Sequence, residues 1–307
     1  MKIAVTGGAG FIGSHVVDRY IEAGHEVIVI DNLSTGKKEN INPRARFYHS
    51  DIRDEGIEAI FRKERPEIVN HHAAQMDVRK STEDPLFDAE VNILGTINLL
   101  ENAVRFGVKR FIFASSGGAI YGEQTEFPAG EDHLNLPLSP YGVSKLAGEK
   151  YLHYYSETFG LKYISLRYSN VYGPKQNPDG EAGVVAIFIG RLLKGKEPVV
   201  NGDGEQTRDY VYVDDVVEAN IRATLGEAEG LFNIGTGIET SVNILLNRLI
   251  DIAKVNIRGI NGPPRKGEQR RSVLGCEKAV RILGWEPKTT LEEGLHRTVL
   301  YFRHAFS

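Results

Sequence analysis

Ser139-Pro-Tyr-Gly-Val-Ser-Lys145 is the stretch whose residue types and spacing suggest catalysis most directly. Ser139 suits a helix N-cap and Pro140 the first helical position. Tyr141 and Lys145 then fall at i, i+4 on one face of the helix. A lysine held there favours the ionised phenol, lowering a pKa that is ordinarily about 10. Such a phenolate takes a proton from a hydroxyl near neutral pH. Taken alone, the pair is as readily a surface Tyr–Lys contact, so its weight depends on its context. Far upstream, Gly7, Gly10 and Gly13, with Gly8 between them, follow the apolar run Lys2–Thr6, and Phe11, Ile12, Val16 and Tyr20 then recur with helical spacing. Glycine lets the backbone turn sharply and lets a phosphate approach its amides; the following helix aims unpaired N–H groups at that phosphate. A second apolar run, Val27–Ile30, ends in Asp31. A carboxylate there accepts both hydroxyls of an adenosine ribose and repels a 2′-phosphate. Strand, glycines, helix, strand and acid together point to a dinucleotide, NAD in preference to NADP.

The elements that must position these residues follow from the hydrophobic pattern. Apolar runs near residues 3, 27, 46, 68, 111 and 164 alternate with helical patterns, which spells repeated β-α units and a parallel sheet. Ligands of such sheets sit at the carboxyl ends of the strands. The loops that matter are therefore Gly7–Gly13, Asp31–Gly36 (with Asn32, Ser34 and Thr35), His72–Gln75 (with Ala73 and Ala74), Ser115–Gly122 and Tyr168–Pro174. Asp51 has two readings, as acceptor from an adenine amino group with Ile52 packed on the ring, or as N-cap of a helix running to Arg65. Asp88–Phe106 reads as an amphipathic helix and Val184–Leu193 as another. Asp214-Asp215 precede an apolar helix and read as its N-cap. Beyond Pro174 the texture turns polar and punctuated. We expect residues 1–170 to bind the dinucleotide and 171–307 to form a smaller region that partly returns to the first.

Composition narrows the function. Hydrophobic residues at 41% and charged residues at 25% are ordinary for a soluble chain. A net charge of −4 gives no electrostatic reason to expect nucleic acid or an anionic membrane. Cys276 is the one cysteine, which excludes an internal disulfide or a cysteine metal cluster. The histidines show no metal-ligand spacing, and His71 and His72, adjacent on a strand, point to opposite sides, so no metal is assigned. The apolar start reads as a strand and not a signal peptide, and no run reaches the length of a membrane helix, so a cytoplasmic protein is expected.

TGGAGFIG, DIRD, HHAAQ, SSGGAIYG, SPYGVSK, RYSNVYGP and TRDYVYVDD occur in this order over most of the chain. With these motifs the sequence resembles the extended short-chain dehydrogenase/reductases and, within them, the UDP-glucose 4-epimerases. The resemblance implies an α/β fold, a Rossmann-type doubly wound parallel sheet of about seven strands with a smaller, interleaved α/β substrate-binding domain. It implies tightly bound NAD, a UDP-sugar substrate, and a homodimer built from the helices containing residues 88–106 and 140–159. Tyr141 would be the base, Lys145 the partner of the nicotinamide ribose, and Ser116 the hydroxyl at the reacting oxygen. Similar epimerases carry that hydroxyl five positions before the glycine of the Tyr-Gly pair; here that position is Gly117, and Ser115 is the second choice. Asn92, Ser115 and Tyr168 join the cofactor set by the same resemblance. Asn170, Arg208 and Arg265 fall at the diphosphate, Glu268 at the uridine ribose, Val185 and Val200 beside the substrate, and Ser272 at the sugar's C2 substituent. A diphosphate needs fixed cationic donors, which guanidinium groups provide. The implied activity is interconversion of UDP-glucose and UDP-galactose through a transient 4-keto sugar, with the N-acetylhexosamine pair as a further substrate because Ser272 is small.

Other readings share part of this pattern. A nucleotide-sugar dehydratase needs an acid–base pair for elimination, and Gly117-Gly-Ala119 carries no acid. A UDP-glucuronate decarboxylase needs a positive site for the C6 carboxylate, which no segment supplies. A non-catalytic NAD-sensing module would have no use for the Tyr141–Lys145 pair.

Overall fold

The computed structural model describes residues 1–179, 183–264 and 269–306. Twelve strands follow in chain order among these residues: β1 Lys2–Thr6, β2 Glu26–Asp31, β3 Arg46–His49, β4 Ile68–His71, β5 Arg110–Ser116, β6 Lys162–Tyr168, β7 Asn170–Tyr172, β8 Val199–Asn201, β9 Thr207–Tyr212, β10 Gly230–Ile234, β11 Glu239–Ser241 and β12 Ile260–Gly262. Seven of them form one sheet in the order β10-β6-β5-β4-β1-β2-β3, every neighbouring pair parallel. The order reverses between β1 and β4, the crevice where doubly wound sheets bind ligands.

Each central strand is apolar on both faces, as a sheet covered by helices on both sides requires. On one face Ile3, Val5, Val29, Ile112 and Leu166 pack with the helices Phe11–Glu22 and Val213–Leu225. On the other, Ala4, Ile28, Val69, Phe111 and Phe113 pack with Leu99 and Leu100 of Gly95–Arg105 and Leu152 of Pro140–Phe159. Burying one such Leu or Phe contributes about 1.5–3 kcal/mol. These two layers fix the carboxyl ends of β1, β4, β5 and β6 relative to the helix that carries Tyr141.

The rest of the chain beyond residue 170 is built largely from short pieces. β9 is central in a three-stranded sheet, parallel to β7 and antiparallel to β11; β8 and β12 pair separately. Between them and the large sheet the chain returns twice, as the helix Val213–Leu225 and as β10, which closes the sheet beside β6.

Three local expectations are corrected, and one strand is added. The helix read as Asp88–Phe106 begins at Pro85, capped by Asp84, and passes through a π-helical turn, Glu90–Leu94, before continuing as Gly95–Arg105. Asp51 caps no helix, since the helix Gly56–Glu64 starts after Glu55; its carboxylate accepts from Asn32 Nδ2 and from the amide and guanidinium of Arg53. Asp214 and Asp215 do not cap their helix and stand in its first turn. There the buried Asp215 carboxylate takes the amides of Lys288 and Thr289, fastening a distant loop. The seventh strand, Gly230–Ile234, carried no signal of its own in the sequence. Among the described residues no helix is long and apolar enough to cross a membrane.

Candidate active site

The helix Pro140–Phe159 begins as its sequence dictates. Ser139 accepts from the Gly142 amide at 3.1 Å and Pro140 occupies the first helical position. Tyr141 and Lys145 therefore share a face, and that face meets the carboxyl end of β5. Lys145 is 4% exposed and donates to the carbonyl of Ala114 at 2.8 Å. Its ammonium lies 5.8 Å from the centre of the Tyr141 ring and 4.8 Å from that of Phe113. Ser116, the last residue of β5, stands next to the Tyr141 phenol and lines the same cavity.

The electrostatics differ from the sequence expectation. Burial pushes the Tyr141 phenol up to about 12, opposed by the Ser116 hydroxyl and reinforced by the charge of Asp88. Burial also lowers Lys145 to about 8, against the opposing pull of Asp88 and Glu149. Desolvation is the largest cause, and the lowering by Lys145 expected from the sequence is not found for the protein alone.

Ser115 and Ser116 part company here. Successive residues of a strand face opposite sides. Ser115 is buried and donates to Glu149 Oε1 at 2.7 Å, joining Ser165 and a bidentate ion pair from Arg167. It belongs to the scaffold behind the strand, and only Ser116 reaches the phenol. The additional glycine also has a reason: a Cβ at Gly117 would stand 2.5 Å from Leu274 Cδ1.

At the other end of the crevice, Gly7 has φ +69° and a Cβ on Gly13 would lie 2.2 Å from the Gly7 carbonyl oxygen. The helix Phe11–Glu22 can thus start directly against β1. Gly10 gives it no side-chain cap and its first turn holds no acid, so an anion is the natural partner for its first amides. Phe11 and Ile12 of that turn line a cavity of about 380 Å³, within the range of small-molecule sites. The Asp31 carboxylate is fixed by the amides of Ala9 at 2.9 Å and Leu33 at 2.8 Å. Asn32 and Asp51 are joined by a 2.7 Å hydrogen bond, and Arg53, ahead of Asn32, draws Asp51 down to about 2. Ser34, Thr35 and Gly36 complete this loop, with Gly36 against the Asp31 carboxylate. Ile52 is buried against Gly95.

The loop after β4 is held just as firmly. The Ala73 amide donates to Thr6 Oγ1, and Gln75 exchanges backbone hydrogen bonds with the Asn92 side chain at 2.9 and 2.8 Å. Asn92 thus spends its amide on shaping the Ala73-Ala74-Gln75 turn. His72 stacks on Tyr168, and burial pushes it down to about 3; His71 is likewise kept neutral between Thr6 and Thr96. Among the described residues no cluster of His, Cys, Asp or Glu could hold a metal.

The same cavity is lined by Ser115, Ser116, Tyr141, Tyr168, Asn170, Val185 and Arg208. Seven residues expected from motifs far apart in sequence therefore converge on one space. Two expected substrate residues do not line it. Val200 points into the core while its neighbour Val199 faces the cavity, because side chains alternate along β8. Ser272 is 2% exposed, its carbonyl accepting from the Asp209 amide beside β9 and its near neighbour Leu274 packed on Gly117. Arg265 and Glu268 lie outside the described residues. The sequence reading missed Gln176, Asn201, Gln206 and Tyr210, which also line the wall. Tyr210 had a signal, standing two residues after Arg208 on the same face of β9; Asn201 ends the short strand β8, and Gln176 and Gln206 come from loops.

Residues 3–235 match the NAD dependent epimerase/dehydratase family. The chain belongs to that family. It is 50% identical over 306 residues to a putative UDP-glucose 4-epimerase of Methanocaldococcus jannaschii, with 98% of each chain covered. Its fold is similar to that of the Thermotoga maritima UDP-glucose 4-epimerase solved with UDP-glucose, at TM-score 0.99 and 54% identity over 100% of both chains. It is also similar to the Thermus thermophilus UDP-glucose 4-epimerase solved with NAD, at TM-score 0.95 and 48% identity, covering 99% of this chain and 100% of that one.

Proposed function

We propose that this family member binds NAD and interconverts UDP-glucose and UDP-galactose through a transient 4-keto sugar. The observation that carries the reading is the grouping of Ser116 and Lys145 around Tyr141, in a cavity whose far wall holds Arg208 and Asn170. The glycine loop, Phe11, Ile12 and Asp31 would hold the dinucleotide, with Asp51, Ile52 and the Ala73–Gln75 turn around its adenosine half and Tyr141 and Lys145 at the nicotinamide ribose. NAD⁺, when bound, supplies hydride acceptance at the sugar carbon and a positive ring charge that favours phenolate at Tyr141. Tyr141 takes the proton of the 4-hydroxyl, and Ser116 holds the oxygen from which it leaves. Arg208, Asn170 and Arg265 grip the diphosphate, Glu268 the uridine ribose, and Val185 the uridine. That grip gives proximity while leaving the sugar ring free to turn over.

Purified protein incubated with UDP-glucose should form UDP-galactose without added reductant, followed by proton NMR. Accumulating NADH with a released oxidised sugar would identify a dehydrogenase and sink the reading. A dehydrated 4-keto product would identify a lyase. We further propose that the N-acetylated pair is turned over, supported by the small side chain of Ser272, buried just outside the cavity lining. Ser272→Tyr should abolish turnover of UDP-N-acetylglucosamine and spare UDP-glucose; equal loss on both would assign Ser272 to the scaffold. Cytoplasmic location and a homodimer belong to the same proposal. Leu86 and Leu94 beside Val143, Tyr151 and Tyr154 leave apolar surface exposed on the two helices concerned. Sedimentation at the monomer mass would overturn the dimer.

A further inference from the structure

Two buried carboxylates lie in the surroundings of Lys145, Glu149 on its own helix and Asp88 bonded to the adjacent Ser144, and they are not equivalent. Glu149 lies one turn along the same helix and is neutralised by its own cation, Arg167, through Nε at 2.9 Å and a second nitrogen at 2.6 Å. Asp88 lies on the helix Pro85–Ala89, immediately before the π-helical turn, and is wholly shielded from solvent. Oδ1 of Asp88 accepts from Gln75 Nε2 and Asn92 Nδ2, both at 3.0 Å, and Oδ2 accepts from Ser144 Oγ at 2.6 Å. These three donors are neutral. They orient the carboxylate and leave its charge to act on Lys145, the residue after Ser144. π-Helical turns recur at functional sites; this one brings Asn92 to both Gln75 and Asp88.

We propose that Asp88 is a positioning residue for the reaction: pinned by Gln75, Asn92 and Ser144, its carboxylate is the counter-charge that keeps the buried Lys145 ammonium protonated beside Tyr141. The inference rests on the reading of Tyr141 and Lys145 as catalytic. Other titratable groups around Lys145 do not take over the role. On its own helix are Tyr141 and the Arg167-paired Glu149. From the end of β4 come His71 and His72, both kept neutral by burial. From β5 come the Ala114 carbonyl and the Phe113 ring. The direction of the Lys145 shift agrees, with Asp88 the larger of the two contributions that oppose desolvation.

The test compares wild-type holoenzyme with Asp88→Asn and Ser144→Ala, by pH–rate profiles on UDP-glucose and by NMR titration of carbon-13-labelled lysine, the Lys145 signal assigned from Lys145→Arg. In Asp88→Asn the Lys145 titration and the alkaline limb of the profile should move down by on the order of one pH unit, because an opposite charge has been removed. The acid limb should move down too, since a negative charge no longer opposes the phenolate. Ser144→Ala removes one donor from the carboxylate and should give a smaller shift in the same direction; it decides the matter if Asp88→Asn fails to fold. Lower activity with both limbs and the lysine titration unmoved would make Asp88 purely structural and overturn the proposal. The titration reads Lys145 whatever the substrate, so wild-type protein inactive on UDP-glucose would count against the proposed reaction and leave the counter-charge tested.

Discussion

Around Gly13 and Asp31 the functional groups come from the first 36 residues and are fixed by backbone: a glycine turn, an uncapped helix start, a carboxylate held by two amides. Around Arg208 and Asn170 the wall is assembled from β7, β8, β9 and the helix Val184–Leu193, each short and each contributing two to four residues. The nucleotide end is a local device with little freedom to give. The sugar end is a composite whose members are separable, and Tyr141 stands where the two meet. Changes at the first end should act as all-or-none, and changes at the second should be graded.

Gly13→Ala is the severest test of that contrast. Its Cβ would collide with the Gly7 carbonyl, so helix and strand must separate and bound NAD should fall to background, measured as nucleotide released on denaturation. Stoichiometric NAD in a folded Gly13→Ala protein would break the comparison. Tyr141→Phe should lower kcat roughly 10²–10⁴-fold with NAD and UDP binding retained. In the wild type, kcat/KM should decline as pH rises through about 8, because Lys145 has its pKa lowered to about 8 and sheds its proton there. A flat profile to pH 10 would remove the charged lysine from the mechanism. The smallest effects should separate the two serines. Ser116→Ala should lower kcat about 5-fold through loss of one hydrogen bond of roughly 1 kcal/mol to the reacting oxygen, with stability unchanged. Ser115→Ala should reverse this, costing about 1–3 kcal/mol of stability, because the buried Glu149 carboxylate loses a donor, and leaving kcat nearly intact. A kcat loss confined to Ser115→Ala would exchange their roles.

The same contrast governs what could be read in advance. β1, β2, β4, β5 and β6 were legible because buried parallel strands are largely apolar runs, β3 only as a short strand candidate at the sheet edge, and Tyr141 and Lys145 because helical spacing fixes their face. Asp31 was legible because it ends a strand. β10 was not, since Gly230–Ile234 is short, sits between glycine-rich turns and gains its identity only by pairing with β6. Val200 was misplaced because alternation along β8 cannot be phased from sequence without a partner strand. Asp214 and Asp215 were misread because a cap and a first-turn acid look alike until the Lys288–Thr289 loop arrives to claim one of them. Asp88 drew no attention, because a buried carboxylate on a helix face announces itself only once its three donors are in view.

The pairing of β10 with β6 also bears on how the chain is made. As it leaves the ribosome, β6 emerges with one hydrogen-bonding edge open, and everything from Asn170 to Leu225 must follow before the strand that covers that edge is available. A nascent chain stalled or cleaved in that interval presents an unpaired apolar strand, the kind of edge that recruits other chains. β7, β8, β9 and the helix Val184–Leu193 thus lie in the chain between two strands of the large sheet, and a deletion that shortens them also bears on the strand that seals it. The two halves are thereby linked: side chains lining the cavity can be exchanged one at a time, whereas a cut that takes β10 with them reopens the edge of β6.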